Sequence, residues 1–113
     1  MSLLSIRMRA EPLRSLGFAS IIGIYTRIGT PLDHPARQIL VQNLTDQDVV
    51  FSFNGLDDHF VLPANGFFLS DITSNKSLGQ GWFLAEGDSL YVKQLGAPTT
   101  GSVYFSVFYG SDN

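Results

Sequence analysis

The chain has 113 residues, enough for one domain with one modest core, and only 15% of them are charged, against roughly 25% in an average soluble domain. It has no cysteine, which excludes disulfides, thiolate metal sites and Cys nucleophiles together. A net charge of −3, with no basic run between stacking aromatics, argues against a dedicated nucleic-acid binder.

Residues 1–16 read as an extended arm, because Ile6, Met8 and Ala10 alternate with Arg7 and Arg9 at a period of two. Pro12 cannot donate to a ladder, so it confines this piece to a sheet edge or a free segment. The same residues lack a charged start before a long apolar stretch and do not read as a secretory signal. The domain proper is placed at residues 17–113. Residues 17–28 (GFASIIGIYTRI) are rich in β-branched and aromatic side chains and predict a strand, with Gly23 marking a bulge or a close backbone approach. The apolar run inside them is the longest in the chain, yet far shorter than the roughly 20 residues of a membrane-spanning helix. Residues 29–37 (GTPLDHPAR) predict a loop stiffened by Pro31 and Pro35, long enough to cross between sheets or reach a partner.

The next stretch, residues 38–69, carries the clearest fold signal. Ile39, Val41 and Leu44 oppose Gln38, Leu40 and Gln42 on one strand, and Val49, Phe51 and Phe53 oppose Val50 and Ser52 on another. Between them, residues 43–48 (NLTDQD) predict a polar corner whose side chains bond nearby backbone amides. Asn54-Gly55 predicts a tight turn, residues 60–62 a strand, Pro63 to Gly66 a second turn, and residues 67–69 a further strand. Residues 71–81 then read as a loop, 82–85 and 89–94 as strands, and 96–101 as a loop. Residues 102–109 (SVYFSVFY) are the most β-prone segment, with Val103, Phe105, Val107 and Tyr109 opposing Ser102, Tyr104, Ser106 and Phe108; this predicts a strand that is central or covered on both sides. The sum is all-β: about eight short antiparallel strands in a jelly-roll-like β-sandwich with an extended N-terminal arm.

Candidate chemistry is sparse. Asp57, Asp58 and His59 form the one cluster of titratable residues, suited in type to a divalent cation or to acid–base work. They are consecutive beside a turn, however, and alternate side chains of an extended segment diverge, so a solvated corner is expected. His34 has no His-x-His partner, a G-x-S-x-G nucleophile turn is absent, and no Gly-rich loop leads into a helix. Trp82, Tyr91, Tyr104 and Tyr109 could form a sugar-stacking platform, against which stands ordinary core and interface packing. The expectation is therefore no catalytic residue, no metal site and no cofactor.

Charge is unevenly placed. Through Arg37 five basic residues face two acidic ones, a net +3, and beyond it two face eight, a net −6. Opposite poles suit head-to-tail contact between copies or docking on an acidic partner. Few charges and thirteen Phe and Tyr residues also suit burial in an assembly. The candidate interface residues are Arg7, Arg9 and Arg14 of the arm, with Pro31, His34 and Arg37 of the loop.

Asn43-Leu44-Thr45-Asp46, the segment from Phe51 to Gly55, that from Leu62 to Gly66, Asp71, and that from Gly101 to Gly110 together look like a pattern in small virion proteins of tailed bacteriophages. The resemblance covers roughly residues 38 to 110 and leaves the N-terminal part outside. It implies a β-sandwich component of the neck or capsid exterior, present in many copies and without enzymatic activity. Its implied partners are copies of itself and other virion proteins such as portal, adaptor, tail or major capsid protein, with no membrane and no specific nucleic acid. The protein would be made in the host cytoplasm and reside in the virion. Its alternatives are a capsid decoration protein and, in another class, a carbohydrate-binding or host-recognition module.

Overall fold

The structure, a computed structural model, describes residues 7–71 and 84–111. Nine strands follow in chain order: β1 (Arg7–Ala10), β2 (Arg14–Gly17), β3 (Thr26–Arg27), β4 (Gln38–Asn43), β5 (Val49–Ser52), β6 (Phe60–Leu62), β7 (Phe67–Asp71), β8 (Tyr91–Gln94) and β9 (Ser102–Ser111). One sheet runs β1-β9-β4-β7, with β2 also on β9; the other runs β3-β8-β5-β6. Every pairing is antiparallel. Strands β2 to β9 thus divide into two four-stranded sheets in the order of a jelly roll, the chain changing sheet after every strand but β5, and β1 prolongs β2 along the same edge.

Side-chain alternation explains the sandwich. Ile39 and Val41 of β4 and Val103, Phe105 and Val107 of β9 point inward and are fully buried against Val49 and Phe51 of β5 and Val92 of β8. Strand β9 is central, flanked by β1 and β2 on one side and β4 on the other. Its outward residues Tyr104, Ser106 and Phe108 are only half-buried, so one face is covered and not both.

Several local expectations are corrected. Residues 17–28 do not form one strand: Gly17 ends β2, Phe18–Ser20 make a single 3-10 turn, and of the rest only Thr26–Arg27 pair, with β8. The strand expected at 82–85 lies partly outside the described residues, and Ala85 is not in a strand. The loop expected at 71–81 falls almost wholly outside them, as does Trp82; Asp71 itself ends β7. The Asn54-Gly55 turn is no two-residue hairpin, since β5 pairs with β6 across seven intervening residues. That loop is built on side chains instead: Ser52 Oγ accepts from the Gly55 amide, and Asn54 Oδ1 from the Leu56 and Asp57 amides. Finally, the inward row of β4 continues to Asn43, while Leu44 is exposed.

Asn43 joins two corners at which the chain changes sheets. Its amide group donates to the carbonyls of Gln47 (2.8 Å), Leu62 (3.0 Å) and Pro63 (3.1 Å). Its Oδ1 accepts from the Thr45 amide (3.0 Å) and hydroxyl (2.6 Å). The main chain of Asn43 meets the Pro63–Gly66 turn as well, donating to Gly66 and accepting from Asn65. Next to this corner, Gly101 holds φ at +87°, and an added Cβ would lie 2.0 Å from the Leu44 carbonyl oxygen.

Asn43→Ala would strand several buried polar groups at once, and the expected loss is about 3 kcal/mol or more, each orphaned group costing about 1–3 kcal/mol. Gly101→Ala is expected to destabilise comparably, because the clash is with backbone. Chemical denaturation of both variants against wild type checks the pair; a loss near zero for either would remove the corner from its role.

Candidate functional site

A densely connected polar cluster lies where the N-terminal segment meets the loop of residues 28–37. Three residues, Glu11 to Leu13, separate Ala10 from Arg14, whereas two separate their β9 partners Phe108 and Phe105. That single extra residue is a bulge, placed at Pro12, which has no N–H to give the ladder. It inverts the alternation. Ala10 faces outward with Phe108, while Arg14 turns inward beside Phe105 and is 5% exposed.

The inverted Arg14 grips the loop. Its Nε donates to the Thr30 carbonyl (2.7 Å), and its Nη2 to Glu11 Oε1 (2.7 Å) and the Pro31 carbonyl (2.9 Å). Glu11, whose side chain is 1% exposed, accepts at Oε2 from the Asp33 amide (3.1 Å) and from His34 Nδ1 (2.8 Å). The His34 ring lies flat on Tyr109, 3.7 Å between centroids and 3° between planes. Gly29 makes room for the arginine stem: at φ +71° it carries no Cβ, which would sit 2.8 Å from Arg14 Cγ. The loop itself is locked by Ile28, Leu32 and Ala36, all buried, whose amides donate to the carbonyls of Leu90, Asp88 and Leu84.

Burial works against charge on Glu11, but the bonds from His34, Arg14 and the Asp33 amide outweigh it and hold the carboxyl below the usual 4.5. A carboxylate that orients an imidazole is half of a hydrolase triad. Here the ring is stacked on Tyr109, and the open cleft of about 320 Å³ beside Arg14, lined by Pro12, Leu13, Ser15, Gly29, Thr30 and Asp33, does not include His34. The arrangement clamps one segment of the chain to another.

The structure therefore brings together three of the six candidate interface residues, within a single subunit. Arg14 and His34 meet at Glu11, and Arg14 also bonds the Pro31 carbonyl. Arg9 and Arg37 are exposed, and the backbone of Arg7 pairs with Ser111. Glu11 was not singled out by sequence, since an extended segment points residues three apart in opposite directions. Only the bulge at Pro12 lets the pair meet.

Asp57, Asp58 and His59 are spread over three separate contacts. Asp57 accepts from Asn54 Nδ2 (2.9 Å), and His59 Nδ1 from the Phe53 amide (2.9 Å). Asp58 accepts from the Tyr25 hydroxyl and from Lys93 Nζ (3.2 Å), and Lys93 sits 4.7 Å above the Tyr25 ring. The Tyr25 bond and then the Lys93 bond hold Asp58 below the usual 3.8, while burial, followed by the bond to Asp58, pushes the Tyr25 phenol upward. Among the described residues no group of three or more His, Asp or Glu side chains is placed to hold a metal ion. The tyrosines do not gather either. Tyr91 packs over Gly55 on the β8 sheet, Tyr104 belongs to the opposite sheet, and Tyr109 is under His34.

Arg14→Met leaves the Glu11 carboxylate buried with fewer donors, and a loss of about 3–5 kcal/mol is expected. Changing Glu11→Leu in the same chain should restore part of it, a coupling that denaturation of the single and double variants measures. Because the folded-state pKa of Glu11 is depressed, its stabilisation is complete above pH 4.5 and disappears as pH falls through the lowered folded value. Melting curves between pH 6 and 2 (roughly the span of carboxylate titration) should show this decline in wild type and a shallower one in the double variant.

Comparison of the chain with protein-family models, with curated proteins and with solved structures returned no match.

Proposed function

We propose that this protein is a non-enzymatic structural component of a tailed-phage particle, a homo-oligomer at the head-to-tail interface. The observation that carries the reading is the contrast between polar side chains bonded within the chain and apolar ones left exposed. Glu11, Arg14, His34, Asp46, Asp58 and His59 all spend their side chains on bonds within the chain. Apolar side chains, Met8, Phe67 and Leu69 among them, stay exposed on one sheet. A domain that bonds its titratable side chains to itself and leaves apolar side chains exposed is suited to being packed into an assembly. The fold adds support by analogy, since jelly rolls serve as viral capsid and lectin domains. The motif spacing between Asn43 and Gly110 adds the likeness to small phage virion proteins. Portal, adaptor, tail and major capsid proteins are the partners this reading implies.

Gold labelling of purified particles with an antibody to this chain, with copy number from quantitative mass spectrometry, tests the reading. A small, fixed number of copies at the tail-bearing vertex is expected. Label spread over the shell would replace the neck role with capsid decoration, and absence from particles would sink the virion reading altogether.

A further inference from the structure

We propose that the outer edge of β7 is a self-association site, at which two copies of this chain join their β9-containing sheets by antiparallel β7–β7 pairing. This deepens the oligomeric reading above and rests on it. Sheet edges invite pairing, and natural sheets blunt them with charges, prolines or short strands. Three of the four edges formed by the described residues are blunted in that way. The β1–β2 edge carries Arg7, Arg9 and Pro12, β3 has two residues including Arg27, and β6 has three and closes on Pro63. Strand β7 is different: its five residues, FFLSD, include no Lys, Arg or Pro, and its one charge is the terminal Asp71. Among the described residues only β4 pairs with it.

The ladder shows which groups the edge presents. Asn43 exchanges backbone bonds with the turn entering β7, so Asn43, Val41 and Ile39 direct their N–H and C=O toward β7. Val41 is opposite Phe68 and Ile39 opposite Ser70, which commits the backbone of Phe68 and Ser70 to β4. Phe67 and Leu69 therefore turn their N–H and C=O to the outer edge. The same two residues carry exposed side chains, 66% and 56% accessible, on the outer face of the sheet. Their neighbours on that face are Gln42 and Leu40, opposite them on β4, and the one charged described residue in register with that row is Asp71, opposite Gln38 at the far end of β7.

A second copy is the occupant that this chemistry fits. Each chain is −3 overall, so two copies meet with least repulsion along an edge whose one charge, Asp71, stands at its end, where this antiparallel register keeps the two Asp71 residues apart. A main-chain edge is its own antiparallel complement about a two-fold axis. Pairing that sets Phe67 of each copy beside Leu69 of the other adds aromatic–aliphatic cross-strand contacts to the backbone bonds. The contact closes at two copies, so larger assemblies need a further surface.

Sedimentation equilibrium and residue-resolved amide exchange on the full chain test this. Wild type is expected to sediment at twice the 12.4 kDa chain mass or a multiple of that, with the Phe67 and Leu69 amides protected. Leu69→Lys should sediment as a monomer and exchange the residue 67 and 69 amides at least tenfold faster, with Phe68 and Ser70 unchanged; Val61→Lys on β6 should change neither. Should Leu69→Lys fail to fold, the wild-type exchange pattern still decides. A monomeric wild type, an oligomer whose Phe67 and Leu69 amides exchange freely, or a folded Leu69→Lys that stays paired would each overturn the proposal. None of these measurements uses particles, so their failure leaves the virion reading to its own test, and failure of that reading leaves this contact to stand or fall in solution.

Discussion

The carboxamide of Asn43 is the interaction on which the rest of the sandwich depends. A jelly roll sends its chain from one sheet to the other at nearly every turn, and each crossing leaves backbone groups that no ladder can satisfy. Two such crossings, β4 to β5 and β6 to β7, converge on this one fully buried side chain. Carboxamide suits the task because it donates and accepts at once: three carbonyls are served by Nδ2, while Oδ1 takes the Thr45 amide and hydroxyl. A carboxylate would meet three carbonyls with no proton to offer, and an apolar residue would leave them dry and unbonded. Neighbouring loops are tied to the same end by Asp46, which accepts from the Thr99 amide and hydroxyl.

A second constraint is set by Pro12. Its missing N–H interrupts the pairing of the N-terminal segment with β9, and the resulting bulge turns Arg14 from the solvent face to the interior. Everything polar in that region follows from the turn. An arginine facing inward requires a counter-charge, which Glu11 provides from within the bulge, and requires acceptors, which the carbonyls of Thr30 and Pro31 provide. The loop of residues 28–37 is held from both sides, by these bonds and by its three buried apolar residues. Charge is thus placed where it stabilises the fold, and among the described residues the outer row of the β9-containing sheet holds one, Asp71 at the end of β7.

Strand content and the polar corner at residues 43–48 were legible in the sequence because both are local. Alternation of two and the turn preferences of Asn, Thr and Asp act within a few residues, and they appear in the structure at β4, β5, β8, β9 and the Asn43–Thr45 bonds. The strand expected over residues 17–28 failed for a reason equally physical. β-branched composition says that a segment can pack on a pleated surface, but pairing needs a neighbour. Strand β8 offers one only to Thr26 and Arg27. Between Gly17, the last residue of β2, and Thr26 the segment is a connection which buries Ile21 and leaves Ile22 and Ile24 outside.

By itself the sequence determined the class of fold, the inward rows of most strands and the scattering of Asp57, Asp58 and His59, because all three follow from local periodicity and turn chemistry. Only the tertiary structure decided which strands are neighbours. Residues 38–69 read as consecutive strands and turns, yet β4 lies beside β7 and β9 while β5 lies beside β6 and β8. Turns of similar composition can close a hairpin or cross between sheets, and the choice rests on long-range bonds such as those of Asn43 to Leu62 and Pro63. Tertiary structure also decided that Glu11 meets Arg14 and His34, through a one-residue bulge at Pro12 that exists only in the register with β9.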